Sequence, residues 1–208
     1  MKARREFIVA SEGIPFLLLI AALTAASAYY VGLRYAIVPF VVLVFLALLF
    51  RDPTRVVPAA PLGVVSPVDG TVTEVSENAD GPGGGAGHCI CIRVNSLGTY
   101  TARSPVEGKV MERHGGAVSE STAASPRGLY LQTDEGVDVA LHFRGHRLGL
   151  VPRTFLRFGE RVGQGERCGW LRLTKFADVQ LPPTSRVLVR AGEKVMAGSS
   201  LIARLPHR

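Results

Sequence analysis

The chain has 208 residues, 47% of them hydrophobic and 20% charged, with a formal net charge of +7. That is enough for one domain of ordinary size, and the composition excludes an intrinsically disordered chain, a coiled coil and a disulfide-stapled secreted domain. The charge is mostly arginine, 20 Arg against 4 Lys, which favours contact with anionic lipid headgroups; no nucleic-acid recognition module is visible, and nucleic acid is not an expected partner. Three cysteines, Cys89, Cys91 and Cys168, are too few and too odd in number for a disulfide framework and fit a reducing compartment.

The apolar residues are concentrated at the N-terminus. From Gly13 to Phe50 the one charge is Arg34. Residues 14–33 form an uncharged run that reaches ~30 Å as a helix, about one hydrocarbon thickness. Residues 35–50 follow with a second uncharged stretch of ~24 Å, which spans with local thinning or forms a re-entrant hairpin. Tyr29, Tyr30 and Tyr35 surround the break, where aromatic rings favour the water–lipid interface. A cleaved signal peptide, with MKARREF as its basic start, is disfavoured because the apolar stretch is too long and a second one follows. Lys2, Arg4 and Arg5 precede the runs, and Arg51 and Arg55 follow them. The positive-inside rule then puts both ends in the cytoplasm. Residues 1–50 are therefore read as an anchor in the inner or plasma membrane, with the soluble domain on the cytoplasmic side.

Residues 51–63 hold Pro53, Pro58 and Pro61 and read as an extended connector. From residue 64 to 208 the chain alternates in short runs bounded by glycines, and no segment offers a convincing amphipathic helix. A mainly β domain is predicted, with strands at 70–75, 89–94, 129–132 and 137–143. Two internal echoes sharpen this. Ser66-Pro-Val-Asp-Gly-Thr-Val72 returns as Ser104-Pro-Val-Glu-Gly-Lys-Val110, and the segment from Phe158 to Glu166 returns approximately from Ala191 to Gly198. Both patterns resemble the half-motifs of barrel-sandwich (biotinyl/lipoyl-like) β folds. Lys194 lies in a Gly-Glu-Lys-Val corner, not at an exposed hairpin tip, which argues against a swinging-arm carrier. The glycine-rich stretch 81–87 lacks the Gly-Lys-Ser/Thr ending of a phosphate loop and reads as a hairpin turn.

Phe50-Arg-Asp-Pro-Thr-Arg55, followed by Val64-Val-Ser-Pro-Val-Asp-Gly-Thr-Val72, resembles the phosphatidylserine decarboxylase family, most closely its short bacterial and archaeal type. Glu160–Arg172 is similar to that family's G-D-x-V-x-x-G-E-x-F-G-x-I-R-F segment. Asp178-Val-Gln-Leu-Pro182 matches its D-V-x-L-P strand, and 187–205 its closing repeat. The order of these segments covers nearly the whole chain. The resemblance implies conversion of phosphatidylserine to phosphatidylethanolamine by a pyruvoyl group built from the protein's own serine. It implies self-cleavage at a Gly-Ser bond aided by an Asp and a His, and a Schiff base between the new carbonyl and the substrate amine.

Carried over residue by residue, the pattern is incomplete. The Asp is retained as Asp69. The His falls on Tyr100, although Arg103, Pro105 and Gly108 around it match. The Gly-Ser falls on Thr174-Lys175. A Tyr with a pKa near ~10 is a poor general base at neutral pH. No pyruvoyl group is therefore expected, and no other cofactor. The expectation is a membrane-anchored, non-catalytic member that binds phospholipid or partners an active paralog. The alternative is an active decarboxylase with a non-standard processing site, for which Gly198-Ser199 is another Gly-Ser bond.

Other candidates are weaker. His142, opposite Leu141 and Phe143 on an alternating strand, and His146 read as surface histidines. Nothing adjacent to Lys175 argues for a Schiff base of its own. Cys89 and Cys91 share a strand face but lack a second ligand pair for zinc, so no metal is expected. A basic cluster runs from Arg144 through Arg147, Arg153, Arg157, Arg161 and Arg167 to Arg172, opposed by Glu160 and Glu166. Guanidinium forks suit phosphate. Arg103, Arg144, Arg147, Arg153 and Arg157 are the candidate headgroup residues.

Overall fold

A computed structural model describes residues 9–82, 84–111, 128–146 and 149–206. The chain divides into two units, Met1–Thr54 with Leu97–Tyr100, and Arg55–Ser96 with Thr101–Arg208.

In the first unit a 3₁₀ turn, Ser11–Gly13, leads into α1 (Ile14–Tyr30) and α2 (Leu33–Leu49). Pro15 sits in the first turn of α1, where its missing N–H costs no helical bond. The sequence places the break near Arg34; the chain breaks two residues earlier, because Gly32 takes a φ of +112° that a side chain would resist. Arg34 consequently lies inside the first turn of α2. The base of the hairpin is closed by the Ala10 N–H on Phe50 O at 2.9 Å and a bridge between Val9 and Arg51. The helices leave apolar side chains exposed nearly all round, with Tyr29 at the apex 83% exposed. Ser11–Tyr30 is long and apolar enough to cross a membrane, and α2 is shorter.

The second unit is β throughout. Its strands are β1 (Gly63–Val65), β2 (Gly70–Asp80), β3 (Ala86–Val94), β4 (Thr101–Arg103), β5 (Gly108–Met111), β6 (Gly128–Gln132) and β7 (Asp138–His146). They continue as β8 (Arg153–Thr154), β9 (Arg161–Val162), β10 (Arg167–Trp170), β11 (Thr174–Leu181), β12 (Arg186–Val187), β13 (Lys194–Val195) and β14 (Leu201–Arg204). All pairings among these strands are antiparallel. An eight-stranded sheet runs β13-β2-β3-β11-β7-β6-β5-β9, and two three-stranded sheets run β1-β14-β12 and β4-β10-β8. This is the predicted mainly β, barrel-sandwich class with an apolar N-terminal helical hairpin.

The sequence echoes are the visible part of a pseudo-twofold. The Val65 N–H bonds Pro105 O at 2.9 Å, and the Arg103 N–H bonds Pro67 O at 2.8 Å, so each echo holds the other by the same bond. Ser66 Oγ donates to Val68 O, and Ser104 Oγ to Val106 O, both at 2.7 Å. The Val72 N–H meets Glu193 O and the Val110 N–H meets Glu160 O, both at 2.9 Å. Exchanging β1 with β4, β2 with β5, β3 with β6, β7 with β11, β8 with β12, β9 with β13 and β10 with β14 reverses the eight-stranded order onto itself. The same exchange swaps the two small sheets. The axis passes through the Val179–Leu141 pair, since Asp178–His142 on one side becomes Gln180–Ala140 on the other.

Alternation builds the core. Val139, Leu141 and Phe143 of β7 and Ala177, Val179 and Leu181 of β11 point inward with Ile90 and Ile92, while His142, Arg144 and Asp178 occupy the other face. Gly70 and Gly108 are equivalent positions where strands approach too closely for a side chain. A Cβ would lie 2.1 Å from Arg93 O in the first case and 2.4 Å from Gln132 O in the second.

Candidate functional site

Asp69 sits at the corner between β1 and β2, where Ser66 Oγ closes the turn on Val68 O. Its Oδ1 accepts the Ala197 N–H at 2.7 Å and its Oδ2 accepts Arg55 Nη2 at 3.1 Å, both partners being largely buried. The twofold-related corner carries Glu107, which is exposed. The carboxylate at 69 thus ties together a strand corner, the β13–β14 turn and the end of the connector.

Thr174 and Lys175 open β11. They follow two non-glycine residues in the left-handed region, Arg172 at φ 46° and Leu173 at φ 64°. Such backbone costs about 1–2 kcal/mol per residue. Thr174 is buried, its N–H bonds Leu171 O at 3.0 Å, and its hydroxyl donates to the same carbonyl. Lys175 is exposed and runs beside Gly145 of β7, where a Cβ would lie 3.3 Å from its own. Thr71, Arg93 and Phe176 form one row across β2, β3 and β11. Asp69 and Lys175 therefore come to the same end of the sheet, two strand spacings or roughly 10 Å apart. The residues present do not fit a pyruvoyl group, since Lys175 has no hydroxyl and the Thr174 hydroxyl is held on Leu171 O.

Tyr100 belongs to the helical unit. Its hydroxyl donates to Glu12 Oε2 at 2.8 Å, its N–H bonds Arg51 O at 3.1 Å, and its ring lies 4.8 Å from that of Phe50. The phenol is therefore engaged as a donor to a carboxylate.

The candidate arginines separate by environment. Arg103 is 6% exposed, and its Nη1 donates to Gly165 O at 3.0 Å. Arg144 forms a fork with Asp178, Nη2 to Oδ1 at 2.9 Å and Nε to Oδ2, and reaches Cys91 Sγ at 3.5 Å. The bond to Asp178 raises the guanidinium above the usual arginine range. Arg153 and Arg157 are exposed and form no salt bridge among the described residues. Arg147 lies outside the described residues. Arg161 pairs with Asp134 at 2.5 Å, and the Arg172 guanidinium lies 5.8 Å from the Trp170 ring, which also meets Phe155.

Burial, with Asp178 and Cys91 adding to it, pushes the Cys89 thiol up to about 11, and burial raises Cys91 as well. Both are poor nucleophiles at neutral pH. His142 is half-buried, hydrogen-bonded to the Tyr130 hydroxyl at 2.9 Å. No group of three or more His, Cys, Asp or Glu among the described residues could hold a metal.

A model of the family described as phosphatidylserine decarboxylase matches residues 42–203. The chain belongs to the phosphatidylserine decarboxylase family. Its place is therefore in phospholipid metabolism. It is 34% identical over 209 residues to a phosphatidylserine decarboxylase proenzyme of Burkholderia ambifaria (strain MC40-6), covering 95% of this chain and 96% of that one. It is also 34% identical over 213 residues to a proenzyme of Burkholderia mallei (strain SAVP1), covering 97% of each. Among solved structures, glucose permease IIA from Mycoplasma capricolum aligns with a TM-score of 0.47 at 20% identity, over 68% of this chain and 94% of that chain.

Within this family frame, sequence reasoning missed the partners that hold the candidate residues. Arg55 on Asp69, Glu12 on Tyr100 and Asp178 on Arg144 lie 14, 88 and 34 residues away. Only the Arg55–Asp69 pair had a local signal, the two being retained elements of neighbouring motifs.

Proposed function

We propose that the chain is a membrane-anchored member of the phosphatidylserine decarboxylase family that carries no pyruvoyl group and holds phospholipid without decarboxylating it. The observation that supports this most is the β11 turn, where an exposed Lys175 stands at the serine position and the preceding hydroxyl is fixed on Leu171 O. Asp69, bonded to Arg55 and Ala197, then has a structural role. The phospholipid contacts are the exposed Arg153 and Arg157, and the apolar hairpin of α1 and α2 keeps the domain at the bilayer, on its cytoplasmic side. Besides lipid, an active paralog is the proposed partner.

One observation favours the second reading. The Ala197 amide that bonds Asp69 lies immediately before Gly198-Ser199, so a Gly-Ser bond stands next to the retained carboxylate. Intact-mass measurement of the purified chain decides between them. A single species of 22.3 kDa that gives no adduct with hydroxylamine supports the non-catalytic reading. Fragments split before Thr174 or Lys175 would overturn it, and a short C-terminal piece beginning at Ser199 would establish the alternative.

A further inference from the structure

The pseudo-twofold supplies an internal comparison. Phe155-Leu-Arg-Phe-Gly-Glu-Arg161 and Leu188-Val-Arg-Ala-Gly-Glu-Lys194 form the same turn. Gly159 has φ +80° and Gly192 φ +90°. Glu160 Oε2 accepts the Arg157 N–H at 3.0 Å, and Glu193 Oε2 accepts the Arg190 N–H at 3.2 Å. The Gly159 N–H bonds Val110 O at 2.9 Å, and the Gly192 N–H bonds Val72 O at 2.7 Å. With these backbone and capping bonds repeated, the turn does not depend on the residue before the glycine, and one copy has Ala191 there. The other has Phe158, 63% exposed.

Phe158 by itself is one exposed apolar residue; what distinguishes it is its setting at a turn tip beside cations. Cations outnumber carboxylates around it, with Glu160 capping the Arg157 N–H and Asp134 held by Arg161. Arg157 precedes Phe158, the Lys109 side chain passes 3.8 Å from where a Gly159 Cβ would stand, and Arg161 pairs across the strand with Lys109. Of these, among the described residues, Arg161 alone forms a salt bridge, with Asp134. An apolar tip flanked by Arg157 and Lys109 complements an anionic bilayer surface, where the ring enters the interface and the cations meet phosphates.

We propose that the Phe158 turn is a membrane-docking tip that inserts its ring into an anionic leaflet, with Arg157 and Lys109 on the headgroups. This rests on the membrane-anchored reading above and adds a second, charge-dependent contact made by the β domain itself.

The test uses the full chain reconstituted with vesicles, carrying an environment-sensitive fluorophore at Phe158→Cys or, as control, at Ala191→Cys. Flotation of the chain reports the helical anchor. Fluorescence at position 158 reports the tip. In vesicles of phosphatidylcholine with phosphatidylglycerol, the probe at 158 brightens severalfold and shifts blue, whereas the probe at 191 stays as in water. The gain at 158 is lost in phosphatidylcholine alone, in Arg157→Glu/Lys109→Glu, and at 1 M salt, where the screening length is about 3 Å. A chain that floats while the probe at 158 behaves like the one at 191 overturns the tip and leaves the anchor standing. Equal brightening at 158 in neutral vesicles overturns the electrostatic half. A chain that floats only with anionic vesicles supports the tip and removes the anchor; one that floats with neither overturns both. Phe158→Ala should melt with the wild type, because Ala191 already holds the equivalent turn.

Discussion

Asp69 and Glu107 occupy equivalent corners of the β domain, and among the described residues the carboxylate at 69 bonds both a cation and a buried amide, whereas Glu107 is exposed. A structural role predicts unequal costs for the two. Asp69→Asn keeps an acceptor for Ala197 and removes the charge facing Arg55, and should cost about 1–2 kcal/mol; Asp69→Ala also strands the Ala197 N–H and should cost about 2–4 kcal/mol. Glu107→Gln should stay within about 0.5 kcal/mol. Melting midpoints of the full chain in detergent check the order, and equal midpoints for all three would remove the structural explanation of Asp69. Cys89 gives a pH-dependent readout. With its thiol pushed up to about 11, roughly one molecule in a thousand is ionised at pH 8. Alkylation followed by mass-resolved peptides should therefore rise about tenfold per pH unit through pH 10, without the plateau of an ordinary thiol. The sign for stability follows. Between the unfolded value of 9.0 and about 11, the folded state keeps a proton that the unfolded state loses, so this contribution falls as pH rises through that window.

At the scale of elements, the two glycines that admit neighbouring carbonyls should respond alike. Gly70→Ala and Gly108→Ala each force a Cβ against a backbone oxygen and should destabilise by about 1–3 kcal/mol. Gly85→Ala, in the β2–β3 turn with nothing within 4 Å, should be near neutral. Chemical denaturation of the three variants tests this. The strands were legible because their inward residues alternate, and the corners because Ser-Pro-Val-Asp/Glu-Gly repeats. The twofold itself was not legible, because β7 and β11 share almost no letters: Asp178 is matched by Ala140 and Gln180 by His142. Hydrogen-bond register preserves the relation where side chains have diverged. The helix break was misplaced because a charge in an apolar run draws attention, whereas a single backbone torsion at Gly32 ends the helix. Arg144 looked available for phosphate because its counter-ion, Asp178, arrives from the neighbouring strand.

For the whole molecule, the decisive physical contrast lies between the helical unit, exposed and apolar nearly all round, and the β unit, which buries a core and exposes apolar residues only singly. Leu18, Leu19, Phe40 and Phe45 remain exposed along α1 and α2, and in water each would favour aggregation. A bilayer removes that cost, and backbone bonds within each helix satisfy the polar groups that lipid cannot. The 17-residue α1 reaches roughly 25 Å and α2 the same, so under the proposed membrane-anchored reading the pair would span with local thinning or would put its Tyr29–Tyr30 apex at the far interface. Arg34, one turn from that apex, can extend its guanidinium to the headgroups. In the proposed topology Arg51, at the base of the hairpin, faces the cytoplasm. The expected outcome is that cysteines at Ser11 and Thr54 are labelled by an impermeant maleimide only from the cytoplasmic side, while one at Val31 is labelled from the opposite side or shielded. Measurement near neutral pH suits the native thiols, since Cys89 and Cys91 are held protonated and Cys168 is buried. Labelling of Thr54→Cys from the outer side alone would reverse the orientation, and cytoplasmic labelling of Val31→Cys as fast as Thr54→Cys would place the hairpin outside the bilayer altogether.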